Sequence, residues 1–148
     1  MGIRDYGYTD VLVGAQYADP GGDNSAGETY LVFGKGSGFA ASVDLGSLDG
    51  SDGFVLAGVN AEDFSGWSVS TAGDVNGDGY ADIVIGAYAT DPNGDNEAGE
   101  AYVVFGKGSG FTARVELGSL SGSDGFVLEG GGEGDEAGYS VSTAGDVN

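Results

Sequence analysis

The chain has 148 residues, enough for one modest domain, and its 24 acidic and 4 basic residues give a formal net charge of −20. That charge disfavours nucleic acid and anionic membranes as partners. The chain contains no cysteine and no histidine, which excludes disulfides, Cys/His zinc sites and histidine-based acid–base catalysis. No apolar run is long enough to span a bilayer, and no signal-peptide pattern opens the chain.

Glycine is abundant, with 32 residues, whereas proline occurs only twice. Short apolar runs rich in Val, Ile, Tyr and Phe alternate with Gly/Asp/Asn turns, a pattern typical of strands. No segment has the 3.6-residue apolar period of a helix. The composition therefore predicts an all-β protein with many tight turns.

The chain repeats itself without gaps at an offset of 72 residues, which is typical of repeat architectures. The recurring segments are 8–15 as 80–87, 30–39 as 102–111, 51–56 as 123–128, and 68–76 as 140–148. The predicted strands of the complete central unit are 67–73, 82–88, 100–106 and 125–129. Four short antiparallel strands per unit describe one blade of a β-propeller.

The connection between the first two of these strands has the pattern of a calcium loop. Side-chain oxygens stand at loop positions 1, 3, 5 and 9, and Gly79 stands at position 6; the oxygen donors are Asp74, Asn76, Asp78 and Asp82. A hard cation is bound by several such oxygens at about 2.3–2.6 Å. Position 12, where an EF-hand requires a bidentate glutamate, is Ile85 in an apolar strand, so the loop is not an EF-hand.

The run 66–87, with its glycine-aromatic start, its Asp-x-Asn-x-Asp-Gly loop and its Gly-Ala end, resembles the FG-GAP repeats of integrin α-subunit-like β-propellers. The segment 100–106 resembles the strand that follows in such repeats. The resemblance implies a ring of four-stranded blades from an extracellular parent protein, with calcium bound between the first two strands. Carried over by position, the side chains of Asp74, Asn76, Asp78 and Asp82 and the carbonyl of Tyr80 bind Ca²⁺.

The chain holds material for two blades, divided into repeats 1–76 and 77–148. The first repeat supplies strands two to four of one blade and strand one of the next. Residues 10–14 form the second strand of the first blade. The second ends in a strand at 139–145 that completes the blade of a neighbouring chain. Propellers have about four to eight blades, so we expect a head-to-tail homo-oligomer, a trimer or a tetramer. A truncated, excised or engineered fragment is the alternative.

The loop is damaged in its N-terminal copy, where Gly2, Arg4 and Tyr6 replace three ligands. One interpretation is an inter-chain site in which Asp146 and Asn148 of one chain join the carbonyl of Tyr8 and Asp10, or Asp5, of the next. The alternative is a salt bridge between Arg4 and Asp10 in place of the ion.

Other acidic residues recur around Gly/Asn turns, namely Asp19, Asp23 and Glu28 and their copies Asp91, Asp95 and Glu100. Turn formation is the simpler explanation, and a second cation loop is the alternative. No residue pattern indicates catalysis. We therefore predict a non-enzymatic, calcium-stabilised scaffold or adhesion module, with a lectin-like, carbohydrate-binding propeller as the alternative function.

Overall fold

The computed structural model describes residues 2–3 and 7–147, which form two four-stranded sheets. No helix in these residues is long and apolar enough to cross a membrane. The eight strands in chain order are β1 (Val11–Ala15), β2 (Glu28–Val32), β3 (Gly53–Ala57), β4 (Ser68–Gly73), β5 (Asp82–Ala87), β6 (Glu100–Val104), β7 (Arg114–Glu116) and β8 (Gly125–Glu129).

The second sheet has the strand order β4-β5-β6-β8, and all of its pairs are antiparallel. This is the four-stranded unit predicted for the central repeat, and the predicted strand ends agree with the observed ones to within two residues. β5 is buried along its whole length because it lies inside the sheet and is covered on both faces. Such continuous burial explains the apolar run from Ile83 to Ala87.

The first sheet has the order β1-β2-β3-β7 and differs from a purely antiparallel blade. Its fourth strand, β7, comes from the second repeat and pairs in parallel with β3, with Leu56 opposite Val115. The three-residue β7 was not predicted, because a short Arg-Val-Glu segment lacks an apolar pattern of its own. The strand forms because the second blade holds it against the outer edge of the first.

The main core lies between the two sheets. The first sheet contributes Leu31, Phe33, Phe54 and Leu56, and the second contributes Ile83, Ile85, Tyr102 and Val104. The rings of Phe54 and Phe111 stack with centroids 5.0 Å apart. Apolar burial of this kind is the dominant stabilising contribution in folding, so the two blades stabilise each other.

A second, smaller apolar cluster covers the far face of the second sheet. It is built on Val84, Ala101 and Val103, with Phe126 and Val141 packed against it. Val141 belongs to the segment 139–145, predicted as a strand that completes the blade of a neighbouring chain; within the described residues this segment forms no strand, and its pairing with a second chain stays a prediction. A strand requires a hydrogen-bonded partner, and the segment has no partner strand in the described part of the chain.

Candidate metal-binding loop

The candidate loop connects β4 to β5 after an irregularity between Thr71 and Gly73 in the pairing of the two strands. Gly73, Gly77 and Gly79 have positive φ angles of 80°, 77° and 92°, which let the chain reverse direction tightly. The loop residues from Asp74 to Gly79 are exposed, whereas Asp82 at its end is completely buried.

Asp74 organises the first half of the loop. Its Oδ1 accepts hydrogen bonds from the backbone N–H groups of Gly77 at 2.8 Å and Asp78 at 3.0 Å. Its Oδ2 accepts one from Gly79 at 2.9 Å. Three backbone donors therefore point at one carboxylate.

Asn76 and Asp78 face each other across the same turn. Asn76 Nδ2 donates to Asp78 Oδ2 at 2.8 Å, and the backbone N–H of Asp78 donates to Asn76 Oδ1 at 3.0 Å. Asp78 Oδ1 accepts from the backbone N–H of Tyr80 at 2.9 Å. The loop thus brings the side chains at positions 1, 3 and 5 together through hydrogen bonds of its own.

Asp82 connects the loop to the sheet. Its Oδ2 accepts from the N–H of Val75 at 2.7 Å, and its Oδ1 accepts from the N–H of Gly106, just beyond β6, at 2.8 Å. Each carboxylate oxygen has a second lone pair, so these bonds leave Asp82 able to accept more. The sequence pattern identified Asp82 as a candidate ligand but did not reveal this anchoring role.

The donor set of the loop fits calcium, because every candidate ligand is a carboxylate, amide or carbonyl oxygen. Within residues 2–3 and 7–147 no three acidic side chains approach closely enough to form a metal-binding group. The loop therefore offers donors of the right chemistry, three of which are held by internal hydrogen bonds and one by the sheet.

The N-terminal copy keeps the anchoring bonds of Asp82 but not the exposed donors. Asp10 Oδ2 accepts from the N–H of Ile3 and Asp10 Oδ1 from that of Gly34, both at 2.8 Å. Tyr8 and Asp146, of the predicted inter-chain site, are exposed. Arg4, Asp5 and Asn148, which belong to the alternatives for this junction, lie outside the described residues.

The recurring Asp-Pro segments form single 3₁₀ turns at Pro20–Gly22 and Pro92–Gly94. Asp19 Oδ1 accepts from the N–H of Ser25 at 2.7 Å, and Asp91 Oδ1 from that of Glu97 at 2.8 Å. Glu28 and Glu100 each accept from the hydroxyl of the tyrosine two residues later, at 2.5 Å. Burial and the hydrogen bond that the Tyr30 hydroxyl donates to Glu28 raise the pKa of Tyr30 to about 12. These side chains therefore have structural partners.

One feature that the sequence did not indicate is an acidic cavity of about 410 Å³ beside the turn at Pro92. It is lined in part by Asp63, Asp91 and Glu100. Asp63 is 5% exposed, and burial raises its pKa, with a smaller contribution from the charges of Glu100 and Asp91. Asp63 Oδ2 accepts from the backbone N–H of Asn60 at 2.9 Å and from its side chain at 3.2 Å. These bonds lower the pKa of Asp63 and oppose the effect of burial.

A larger groove of about 600 Å³ lies beside the loop. Two of its lining residues are the candidate ligands Asn76 and Asp78, and others are Phe105, Phe111 and Asp124. Lys107 lies over the ring of Phe111, with its Nζ 5.1 Å from the ring centroid. The groove thus combines aromatic surface with hydrogen-bonding groups.

Comparison with known families identifies one repeat. Residues 65–104 match the family model of the FG-GAP repeat. The matched stretch contains β4, the candidate loop, β5 and β6, so it covers the exposed donors and the buried anchor Asp82. The all-β structure agrees with a fragment of propeller type.

Proposed function

We propose that this chain, which carries an FG-GAP repeat, is a calcium-stabilised β-propeller module that serves as a non-enzymatic scaffold or adhesion surface of an extracellular protein. The observation that carries the proposal is the loop 74–82, which lies inside the matched repeat. Its hydrogen bonds hold three oxygen-bearing side chains in one exposed turn above a buried aspartate. The function is then to present a surface whose geometry depends on an ion.

The proposed ligands are the side chains of Asp74, Asn76, Asp78 and Asp82 and the carbonyl of Tyr80. When bound, calcium would supply positive charge that relieves the repulsion among the carboxylates of one short loop. The protein's part is to fix the loop at both ends: Gly73 starts the reversal, and Asp82 holds Val75 against the sheet. Because the connected strands β4 and β5 are adjacent, order in the loop stabilises their pairing.

Calcium dependence of thermal unfolding tests this proposal. A ligand that binds only the folded state stabilises it by about 2.7 kcal/mol at a hundred times its Kd. We expect calcium to raise the Tm of the wild type and a chelator to lower it. The Asp78→Ala variant should lose this response, whereas Asp95→Ala, which removes the same charge from another exposed turn, should keep it. An identical wild-type Tm in calcium and in excess chelator would contradict the proposal.

The same proposal includes assembly with further copies of the chain, as a trimer or a tetramer. Apolar side chains on the outer faces of the two sheets, among them Val11 and Leu128, are exposed in the single chain, and assembly would cover them. Asp146 and Asn148 of one copy with Tyr8 and Asp10 of the next are the proposed ligands of a junction site. Calcium titration separates the alternatives there: two ions per chain support a junction site, and one ion supports the loop alone.

Carbohydrate binding is the second candidate function, and the groove beside the loop is the observation that favours it. Sugar recognition commonly combines an aromatic face with polar groups, and Phe105, Phe111 and Asp124 line this groove. Repeated grooves in an oligomer would increase avidity. A glycan array probed in calcium buffer tests this candidate, and binding that persists in Phe111→Ala would contradict the assignment to this groove.

A further inference from the structure

The two outer faces of the chain are repeats of the two faces that meet inside it. The internal core joins Leu31, Phe33, Phe54 and Leu56 of the first blade to Ile83, Ile85, Tyr102 and Val104 of the second. At the 72-residue offset the first set becomes Val103, Phe105, Phe126 and Leu128, on the far face of the second blade. The second set becomes Val11, Val13, Tyr30 and Val32, on the far face of the first.

Several outer copies are much more exposed than their inner counterparts, although Val103, the copy of Leu31, is 4% exposed. Ile83 is 1% exposed, whereas its copy Val11 is 56% exposed. Leu56 is completely buried, whereas its copy Leu128 is 52% exposed. Both outer faces thus expose apolar side chains at positions whose inner copies are buried in the internal interface. Surfaces of this kind mark interaction sites.

The segment 139–147 lies beside the second blade, where the first strand of a third blade would lie. Tyr139 packs on Trp67 and Tyr88, with ring centroids 5.3 Å away in both cases. The N–H of Val141 donates to Ser68 Oγ at 3.1 Å. The carbonyl oxygen of Gly138 lies 1.8 Å from where a Cβ on Gly86 would stand, and that of Gly66 approaches Gly14 in the same way, at 2.0 Å.

We infer that β1 of one copy pairs with the segment 140–145 of a second copy, antiparallel and in the register of β4 with β5. That internal register places Ser68 opposite Gly86, Ser70 opposite Val84 and Thr71 opposite Ile83. Shifted by 72 residues, it places Ser140 opposite Gly14, Ser142 opposite Leu12 and Thr143 opposite Val11. Among the described residues β1 is an edge strand with one paired side, and the inference rests on the proposed propeller module.

Contacts at the outer edge of the blades extend the same interface. Inside the chain, Phe111 stacks on Phe54 and Val115 lies opposite Leu56. Their counterparts between copies are Phe39 with Phe126 and Val43 with Leu128. Phe39 and Val43 are 56% and 45% exposed in the single chain, so the second copy would cover them. A second copy is the occupant that fits, because it carries both halves of an interface that the chain already forms once.

Electrostatics makes the interface between copies weaker than the internal one. Arg114 forms an ion pair with Glu28 at 3.1 Å inside the chain. Its counterpart is Ser42, so Glu100 of the neighbouring copy gains no cation there. The shifted register also places Asp44 opposite Glu129, and like charges directly opposite are unfavourable. With a net charge of −20 on each chain, pairing should strengthen as salt rises.

Mixed disulfide formation tests the register, since the chain has no cysteine of its own. Val11→Cys and Thr143→Cys change exposed side chains and leave the internal core intact. Antiparallel partners have Cα atoms about 4.5–5.5 Å apart, within the range of a disulfide. We expect an oxidised mixture of the two variants to give a linked pair, and neither variant alone to do so. Val11→Cys mixed with Ser142→Cys should give much less, because Ser142 points to the opposite face.

A control inside the blade separates this inference from the proposed function. Ser70→Cys with Val84→Cys joins two partners of the observed register and should close within one chain. If that disulfide fails to close, the blade itself is wrong. If it closes but the Val11 and Thr143 variants give no mixed disulfide, the pairing between copies is overturned. Equal yields with Ser142→Cys and Thr143→Cys would overturn the register.

Discussion

Asp82 and Asp10 occupy equivalent positions in the two repeats, and both connect a loop to the end of a strand through two backbone N–H groups. Their surroundings differ, since Asp82 is completely buried and Asp10 is partly exposed. The same pair of hydrogen bonds therefore contributes more to the stability of the fold in the second blade, where water cannot replace it. Comparing the two aspartates therefore measures the anchoring role of Asp82 apart from its proposed role as a metal ligand.

We predict that Asp82→Ala destabilises the fold by roughly 2–5 kcal/mol, because it leaves two backbone donors unsatisfied. Asp10→Ala should cost less, since water reaches its donors. Urea unfolding in the presence of a chelator measures both costs without any contribution from bound ions. Equal losses in the two variants would show that burial of Asp82 does not determine its role.

Asp63 should make stability depend on pH. Burial raises its pKa above that of the unfolded chain, so the folded state holds this proton more tightly. Its unfavourable contribution is therefore absent at low pH and develops as the pH rises from the unfolded pKa through the folded one. We predict that Asp63→Asn raises the Tm at pH 7 and that this gain shrinks as the pH falls.

Asp135→Asn is the matched control for that measurement, because Asp135 is the exposed copy of Asp63 in the next repeat. It should leave the Tm nearly unchanged at every pH. A gain for Asp63→Asn that stays constant between pH 7 and the acidic range would contradict titration of Asp63 as its cause.

At the scale of elements, the local sequence pattern was sufficient to predict the strands that have strong apolar runs. β5 and β6 were predicted from their sequences because their partners lie next to them along the chain. β7 was not predicted, because its state depends on a distant partner, and the predicted strand at 139–145 depends on such a partner too. The first gains one from the other blade, and the second has none in the part of the chain that the structure describes.

In the candidate loop, too, local contacts were predictable from the sequence and distant contacts were not. Spacing and residue type identified Asp74, Asn76 and Asp78, whose contacts are local. The bond from Gly106 to Asp82 crosses 24 residues, so no local pattern could indicate it. Asp63 was missed for a related reason, since its burial arises from packing between segments that are distant in sequence.

Gly86 lies where two backbone segments approach closely, so we expect this position not to tolerate a side chain. A Cβ on Gly86 would stand 1.8 Å from the carbonyl oxygen of Gly138, a backbone atom that cannot rotate away. We predict that Gly86→Ala destabilises the fold by roughly 2 kcal/mol or more. Gly46→Ala is the control, since its nearest neighbour is a side-chain oxygen at 3.4 Å, and it should cost within about 0.5 kcal/mol. Equal Tm values for the two variants would contradict the predicted clash.

At the scale of the whole molecule, two blades share one well-packed interface and expose repeats of its two halves. The exposed residues are apolar and belong to the same positions of the repeat as the buried ones. Within the residues that the structure describes, β1 is the edge strand of the first sheet and the segment 139–145 has no partner strand. The proposed assembly of copies would resolve both features with contacts that the chain already contains.

The mass in solution tests this conclusion most directly. Light scattering in calcium buffer at moderate salt should give three or four times the 14.6 kDa of one chain. Leu128→Glu should reduce the mass to that of the monomer while the chain stays folded, because Leu128 is exposed in the single chain. Its buried counterpart Leu56→Glu should unfold the chain. A wild-type protein that is folded and has the mass of a single chain at every salt concentration would contradict the proposed assembly.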